Sequence, residues 1–326
     1  MATTSDPVRT ALEARFPDAF GSTTAPPADN EFVIFSKPEL GRLEGPDLDA
    51  VWDLFSSSFA SSEVTVHQVK ILTGPELEEA GAMQQHYGVI NQISRLGRPA
   101  LTAAADAALV DQLGESLEEA TVLGGHQFLE RFPEFSPFAL AMLFSNLGVA
   151  RLGPGSYAAP AKIDGETVIV LNGFHPRQLS FFIAEDAVCA FLHASSPTGW
   201  DGLRSDLIGS TDPAKAAAGS IRGTLYADPG AFGLRSVNSN FNGVHMSAGP
   251  LEGLAELGRF FGAAPGGSTW RFAEKLVSAG ATDDDVNQLT QNPDVEVDGE
   301  VTTAFDLTEG VDAEPAAELL VRAKRV

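Results

Sequence analysis

Short apolar runs alternate with amphipathic segments along most of this chain, and that alternation limits the folds it can adopt. Strands are predicted where β-branched and aromatic residues cluster between turn residues, at 31–35, 64–73, 166–173, 186–195 and 221–227. Helices are predicted where apolar residues recur at helical spacing, at 46–62, 74–94, 200–209 and 249–261. Outside 97–165, strands and helices therefore largely alternate, which indicates a sheet covered by helices.

Length, cysteine content and hydropathy place further limits on the chain. Its 326 residues exceed the size of most single cores, so we expect one elaborated domain or a core with appendages. The single cysteine, Cys189, cannot form an internal disulfide, which suits a reducing cytoplasm. The N-terminus lacks an apolar signal core and no apolar run is long enough to cross a bilayer, so we expect a cytoplasmic protein without a membrane partner.

The charge balance bears on the class of partner. A net charge of −23 argues against nucleic acid, where cationic side chains provide most of the affinity. A small anionic ligand is compatible with it, because salt screens exposed charges beyond about 8–10 Å. The acidic residues are concentrated after residue 280, in a segment we interpret as a solvated face.

The stretch NGVHMSAGPLEGLAELGRFF, residues 242–261, has the pattern of a histidine nucleophile held by a carboxylate. His245 lies directly before a Ser-Ala-Gly-Pro step and an amphipathic helix that carries Glu252 and Glu256. Neutral imidazole is a competent nucleophile near pH 7, but its second nitrogen needs a hydrogen-bond partner to fix the ring. We expect Glu252 to be a solvated helix charge.

Four blocks, FVIFSKPELG, QQHY, LIGSTDPAKAAAGSIRG and the stretch above, occur in the order found in nucleoside diphosphate kinases, and the chain resembles that family. The intervals from Thr211 to Arg222, from Asn242 to His245 and from His245 to Glu256 match the family's spacing. The resemblance implies an α+β, ferredoxin-like sandwich with a four-stranded antiparallel sheet. It also implies transfer of a γ-phosphate between nucleotides by a ping-pong mechanism through a phosphohistidine.

The same resemblance implies a role for each matching residue. His245 would be the nucleophile, Glu256 would orient it, Ser247 would steady the turn, and Lys37 would meet the transferring phosphate. The residues implied in nucleotide binding are Lys37, Tyr87, Arg204, Thr211, Arg222 and Asn242. Mg²⁺ would be carried on the nucleotide, since this hard ion is usually bound through substrate phosphates. The expected partners are ATP or another nucleoside triphosphate and a nucleoside diphosphate or other acceptor, and we expect a homo-oligomer.

The chain also departs from the family pattern. Ser205 stands where the family has a second arginine, so either Arg204 or Arg235 would replace it. Ala248 and Val89 stand where the family has carboxylates, and Met246 adds bulk beside the nucleophile. The aromatic residue that stacks on the base has no clear equivalent, although three phenylalanines are candidates: Phe174, Phe181 and Phe182.

We predict an N-terminal arm at 1–28, a core at 29–265 interrupted by a mainly helical insertion at 97–165, and an acidic extension at 266–326. The insertion interrupts the region where the family binds the nucleoside. Three hypotheses follow: a nucleoside diphosphate kinase, a related histidine phosphotransferase with a specialised acceptor, and a non-catalytic nucleotide-binding module. His67, His126 and His193 are predicted to be surface or satisfied core residues, and His86 structural or peripheral.

Overall fold

The computed structural model describes residues 27–117, 119–263 and 269–326. The chain is α+β and forms two compact units. The first unit joins the described residues up to Gly74 to Glu185–Val326, and the second covers Pro75–Ala184. Most of the predicted N-terminal arm (1–26) and the predicted boundary at 265/266 lie outside the described residues.

The strands and helices are numbered in chain order. The strands are β1 (Asn30–Ser36), β2 (Thr65–Thr73), β3 (Thr121–Gly124), β4 (Ala150–Gly153), β5 (Ser156–Ile163), β6 (Glu166–Leu171), β7 (Val188–Ser196), β8 (Val244–Met246), β9 (Asp294–Val297), β10 (Glu300–Thr303) and β11 (Lys324–Arg325). The helices are α1 (Pro38–Gly41), α2 (Gly45–Ser61), α3 (Gly74–Glu79), α4 (Ala82–His86), α5 (Gly88–Leu96), α6 (Ala103–Leu117), α7 (Gly125–Arg131), α8 (Pro137–Ser145), α9 (His175–Phe182), α10 (Trp200–Gly202), α11 (Ile221–Ala227), α12 (Pro250–Phe261), α13 (Arg271–Ala279), α14 (Asp283–Leu289), α15 (Ala304–Thr308) and α16 (Ala313–Arg322). Among the described helices, none is long and apolar enough to cross a membrane.

A four-stranded antiparallel sheet with the order β2-β7-β1-β8 forms the centre of the first unit. This confirms the predicted antiparallel sheet, but its fourth strand is β8. The prediction of a strand at 221–227 is wrong, because that segment is helix α11. The Ser220 side chain accepts a hydrogen bond from the Gly223 N–H at 3.2 Å and so caps a helix at the point where the β-branched residues favoured a strand.

One face of this sheet holds the main apolar core. Helix α2 covers it with Leu48, Val51, Trp52, Phe55 and Phe59, which recur every three or four residues and therefore share one face of the helix. The sheet contributes alternate residues of its strands, among them Phe32, Ile34, Ala190, Leu192, Val244 and Met246. Every residue of β1 is buried, as expected for a central strand covered on both faces.

The other face of the sheet carries the candidate site. Successive side chains of a strand point to opposite faces, so His245 points away from the core that holds Val244 and Met246. Helix α12 packs on this second face, where its Phe260 ring lies 4.4 Å from Phe191 between centroids. A Cβ at Gly253 would lie 2.9 Å from the Glu31 carbonyl oxygen, so only glycine lets α12 approach β1 this closely.

The second unit contains a sheet that the sequence analysis did not predict as such. Its order is β3-β6-β5-β4, with β3 and β6 parallel and the other pairs antiparallel. The Gly/Pro-rich segment at 151–162 forms most of β4 and β5. The predicted long helix at 74–94 is divided into α3, α4 and α5, with Gly81 in the left-handed conformation at the first division.

The second unit is inserted in sequence between β2 and β7, which are neighbours in the first unit's sheet. The N–H of Gly74 donates to the carbonyl of Ala187 at 2.8 Å, so the chain leaves and re-enters that sheet at adjacent points. The unit is wider than the predicted insertion at 97–165. The extension after residue 268 contains α13–α16 together with a small sheet of order β10-β9-β11, which the sequence analysis did not predict.

Two glycines of α12 provide a matched test of its packing. Nothing lies within 4 Å of a Cβ at exposed Gly258, so Gly258→Ala is expected to raise the free energy of unfolding by about 0.5–1 kcal/mol through helix propensity alone. Gly253→Ala forces the helix off β1 and is expected to lower it by about 1–3 kcal/mol. Urea denaturation measures both, and equal shifts in the two variants would contradict this packing.

Candidate active site around His245

His245 is held by a chain of hydrogen bonds that runs from β8 through α12 to β1. Its Nε2 lies 2.8 Å from Glu256 Oε1. The Ser247 hydroxyl donates to Glu256 Oε2 at 2.5 Å and accepts from the Val33 N–H at 3.0 Å. The Glu256 side chain is fully buried, whereas 19 % of the His245 side chain is exposed. The structure therefore joins three predicted catalytic residues in one network.

The direction of the His245–Glu256 bond decides which ring nitrogen can react. A carboxylate only accepts hydrogen bonds, so Nε2 carries the proton in this contact. In the neutral ring the lone pair then lies on Nδ1, which makes Nδ1 the nucleophilic nitrogen. The tautomer is thus set by Glu256.

Phe35 fixes the plane of the ring, a role that the sequence analysis missed. It is the cross-strand partner of His245 between β1 and β8, and the two rings stack with centroids 4.5 Å apart and planes 22° apart. The signal was present in the sequence, because Phe35 is two residues before Lys37 in the first matching block. Its contact with His245 depends on strand register, which the residue pattern did not specify.

Glu252 is not the solvated charge that the sequence analysis expected. Its Oε2 accepts the Ala248 N–H at 2.5 Å, so the side chain closes the turn between His245 and α12. Burial raises the pKa of Glu252 to about 7, the Glu256 carboxylate adds to the increase, and His245 opposes it. Arg259 lies further along the same helix; burial lowers its pKa, and the Glu256 and Glu252 carboxylates oppose that shift.

Lys37 directly follows β1 and is tied to the loop that precedes β8. Its N–H donates to the Gly243 carbonyl at 2.8 Å, and the Gly243 N–H donates to Glu39 Oε1 at 2.9 Å. Among the described residues, the Lys37 ammonium makes no hydrogen bond or ion pair. Burial lowers the pKa of Lys37 to about 8, an effect that Glu39 opposes and Arg222 reinforces. The ammonium is thus a partly buried charge near a second cation.

Arg222 projects from α11 and is buried beside the end of β8. Its Nη1 donates to the Gly209 carbonyl at 2.8 Å and its Nη2 to the Val244 carbonyl at 3.0 Å. Its Nε is buried and has no hydrogen-bond partner among the described residues. Burial lowers the pKa of Arg222 to about 10, and the nearby Arg204 lowers it further. Two guanidinium nitrogens of Arg222 therefore hold the backbone around the site, and only the remaining N–H groups are available to a ligand.

Asn242 and Thr211 lie together at the edge of the same loops. The Asn242 Nδ2 donates to the Thr211 carbonyl at 3.0 Å, while its Oδ1 is buried without a partner among the described residues. The Thr211 side chain is exposed. The sequence analysis placed both residues at the site, and the structure brings them together.

The two candidates for a second arginine differ in their surroundings. Arg204 lies in a π-helical turn, Leu203–Ile208, and pairs with Glu309 of the C-terminal extension. Its charge acts on Arg222, so the two guanidinium groups are near each other. Arg235 is exposed in the loop that follows α11. Arg204 thus acts on another predicted cation, whereas Arg235 is an exposed loop residue.

The remaining predicted residues include Tyr87 and the stacking candidates, which belong to the second unit, and His193, which belongs to the first. Tyr87, at the start of α5, has its ring centroid 5.7 Å from His175 and 6.0 Å from Phe182. The stacking candidates Phe174, Phe181 and Phe182 belong to the same unit as Tyr87. In the first unit, buried His193 contacts Glu31 Oε1 at 2.7 Å through Nε2. This fits the core alternative predicted for His193.

No family model, no curated protein and no solved structure matched the chain. The kinase resemblance therefore remains a prediction from the sequence.

The raised pKa of Glu252 predicts how stability depends on pH. In the unfolded chain Glu252 loses its proton near its usual pKa, whereas the folded protein keeps it until about pH 7, so the contribution of Glu252 to stability falls between pH 5 and 8. Gln in its place keeps an acceptor for the Ala248 N–H but does not titrate.

We expect the free energy of unfolding of Glu252→Gln, relative to that of wild type, to be higher at pH 8 than at pH 5, as measured by urea denaturation. Glu314→Gln, which removes an exposed carboxylate, is the control. An identical pH dependence in wild type and Glu252→Gln would contradict this description of the turn.

Proposed function

We propose that the protein is a nucleoside diphosphate kinase-like phosphotransferase that moves the γ-phosphate of a nucleoside triphosphate to a nucleoside diphosphate through phospho-His245. The observation that carries the proposal is the Ser247–Glu256–His245 hydrogen-bond chain. A buried carboxylate that fixes the tautomer of a partly exposed histidine is what a nitrogen nucleophile requires. Buried His193 also pairs with a carboxylate, that of Glu31, so the feature that distinguishes His245 is the 19 % of its side chain that is exposed and can meet a substrate.

The sheet supports assignment of the first unit to the ferredoxin-like sandwich. Taken in chain order, its four strands are arranged 2-3-1-4, with all neighbours antiparallel. This is the strand order of a βαββαβ sandwich read from one edge, with α2 between the first two strands. In this proposal the second unit takes the place of the short connection between the second and third strands.

The reaction has two matching half-reactions. His245 Nδ1 attacks the γ-phosphorus, the bond from phosphorus to the β–γ bridging oxygen breaks, and the nucleoside diphosphate leaves with that oxygen. The phosphorylated ring is cationic, and the Glu256 carboxylate stabilises it through Nε2–H. A terminal oxygen of the acceptor diphosphate then attacks the phosphorus and breaks the N–P bond, which regenerates neutral His245.

The cations around the site provide the phosphate clamp. Lys37 is a partly buried ammonium with no ion pair among the described residues, so it can neutralise charge on the migrating group. Arg222 contributes the guanidinium N–H groups that do not bind backbone carbonyls, and Arg204 supplies the second guanidinium. A π-helical turn accommodates one extra residue, which accounts for an arginine one position before that of the family. Asn242 Oδ1, a buried acceptor, suits a sugar hydroxyl.

Mg²⁺ would be held by the phosphate oxygens of the nucleotide. Glu39 and Glu252 each use their carboxylate to accept a backbone N–H, and Ala248 stands where the family has an acid, so the proposal assigns the ion to the nucleotide. When bound in this way, the ion neutralises charge on the triphosphate. No protein carboxylate is assigned to it.

Incubation with γ-labelled ATP and Mg²⁺ tests the proposed function. We expect acid-labile, base-stable label on wild type and on His126→Ala, and none on His245→Ala, because a phospho-imidazole has that stability pattern. Acid-stable label, or undiminished label in His245→Ala, would reject the phosphohistidine mechanism. ATP binding without labelling would instead favour a nucleotide-binding module.

The second unit bears on which compound accepts the phosphate from His245. It has its own four-stranded sheet, which is more than a connection between two strands requires. This observation favours a specialised acceptor as the second candidate. A screen of acceptors against labelled protein decides between the two: transfer to nucleoside diphosphates supports the kinase, and transfer only to other compounds supports the alternative.

We expect Glu256→Gln to fold but to be phosphorylated about 10–100-fold more slowly, the range for partners that orient a functional histidine. The amide preserves a hydrogen bond but not the charge that stabilises the cationic ring. Single-turnover labelling measures the rate, and Glu252→Gln is the matched control because Glu252 lies on the same helix without contacting the ring. Equal rates in Glu256→Gln and wild type would exclude the orienting role.

The lowered pKa of Lys37 predicts a pH dependence. The ammonium loses its proton as the pH rises through about 8, so kcat/KM for the donor is expected to fall above that pH. Lys37→Arg keeps the charge and should move this fall beyond pH 9, although its maximum rate is expected to be lower. A fall at the same pH in both proteins would assign the titration to another group.

A further inference from the structure

The C-terminal extension contacts the turn that follows His245. The Gly310 N–H donates to the Ala248 carbonyl at 2.9 Å, and a Cβ at Gly249 would lie 2.4 Å from the Thr308 carbonyl oxygen. Asp312 Oδ1 accepts the Trp200 N–H at 2.8 Å, close in sequence to the π-helical turn. The segment 308–312 therefore contacts both the turn that follows His245 and the chain just before the π-helical turn.

Within this segment, Glu309 forms an ion pair with Arg204. The two side chains are 43 % and 38 % exposed, so the pair is open to solvent and to solutes. Arg204 acts electrostatically on Arg222, and Glu309 acts on Glu252. Glu309 thus pairs with one of the proposed phosphate-binding cations and also acts on a carboxylate of the turn that follows His245.

We propose that Glu309 is a positioning residue that holds Arg204 in the free protein and is displaced from it by substrate phosphate, which releases the 308–312 segment from the turn at Ala248. This inference rests on the proposed function, because it takes Arg204 as a phosphate-binding residue. It makes Glu309 a determinant of donor affinity, since each phosphate that binds must compete with it.

Phosphate can replace the Glu309 carboxylate at Arg204, and the carboxylate can return when the phosphate leaves. An exposed ion pair contributes little stability, so a phosphate with a higher charge and several acceptor oxygens can replace the carboxylate. Once phosphate is bound, Glu309 is a like charge beside it, and repulsion moves the carboxylate away. The contacts of Gly310 and Asp312 use backbone groups of the turn and of Trp200, so they give the displaced segment a defined position to return to.

Titration with inorganic diphosphate at fixed ionic strength tests the competition without requiring phosphotransfer. We expect Glu309→Gln to bind diphosphate about 1.5- to 5-fold more tightly than wild type, the range of an exposed ion pair. Arg204→Gln should bind it more weakly, and adding Glu309→Gln to Arg204→Gln should give no gain. Glu314→Gln, which removes the exposed partner of Lys275 in the same extension, should behave as wild type.

Two further readouts separate this role from a purely structural one. Steady-state kinetics should show a lower KM for the donor in Glu309→Gln with kcat nearly unchanged. Hydrogen exchange should show faster exchange at the Gly310 amide when diphosphate is added to wild type.

Unchanged diphosphate affinity in Glu309→Gln, a gain that persists without Arg204, or exchange at Gly310 that diphosphate does not speed would overturn the proposal. Labelling of His245 on the same samples keeps the two hypotheses apart. If His245 is labelled but Glu309→Gln does not change the diphosphate affinity, only the competition is rejected. If His245 is not labelled but Glu309→Gln changes that affinity through Arg204, only the kinase hypothesis is rejected.

Discussion

The fully buried carboxylate of Glu256 is the constraint on which the rest of the site depends. A buried charge is costly unless hydrogen bonds replace the lost water, and here one oxygen accepts from His245 and the other from Ser247. Ser247 is in turn fixed to the backbone of Val33 in the central strand. The position of the imidazole is therefore set by the sheet itself, through a carboxylate on a helix that only Gly253 allows to approach so closely.

Cations and carboxylates lie close together around this site, since Glu39 acts on Lys37 and the Glu252 and Glu256 carboxylates act on Arg259. Glu252 and Glu256 lie on α12 next to the turn at His245, whereas Lys37 and Arg222 lie at the β1 end and on α11. Burial lowers the pKa of both cations, so each would gain from an anionic partner. A protein with a net charge of −23 therefore keeps two cations, partly buried Lys37 and buried Arg222, in contact with the segment around His245.

Local patterns in the sequence predicted the parts of the fold that depend on local chemistry. The apolar run of β1 and the spacing of Leu48, Val51, Trp52 and Phe55 specify a buried strand and an amphipathic helix without knowledge of their neighbours. The segment 221–227 was predicted wrongly because its β-branched residues outweighed the cap at Ser220. Short strands such as β8 carry too few residues for a periodic signal.

The part of the candidate site that lies in one stretch could be predicted from the residues themselves, whereas distant Lys37 and Arg222 were assigned through the family resemblance alone. His245, Ser247 and Glu256 share one stretch, and their contacts follow from one strand, one turn and one helix. Phe35 and Glu309 were missed because strand register and the course of the C-terminal extension bring them to the site. The role of Glu252 was missed because solvent access to a helix side chain depends on what packs against it.

Glu256 holds the proton of Nε2, and we propose that it thereby directs phosphorylation to Nδ1 of His245. Phosphorus–proton correlation NMR of protein incubated with ATP and Mg²⁺, compared with authentic phosphohistidine isomers, identifies the nitrogen that carries the phosphate. The predicted result is a single signal from phosphate on Nδ1. A signal from phosphate on Nε2 would contradict the account, because that nitrogen cannot bind phosphorus while it donates to Glu256.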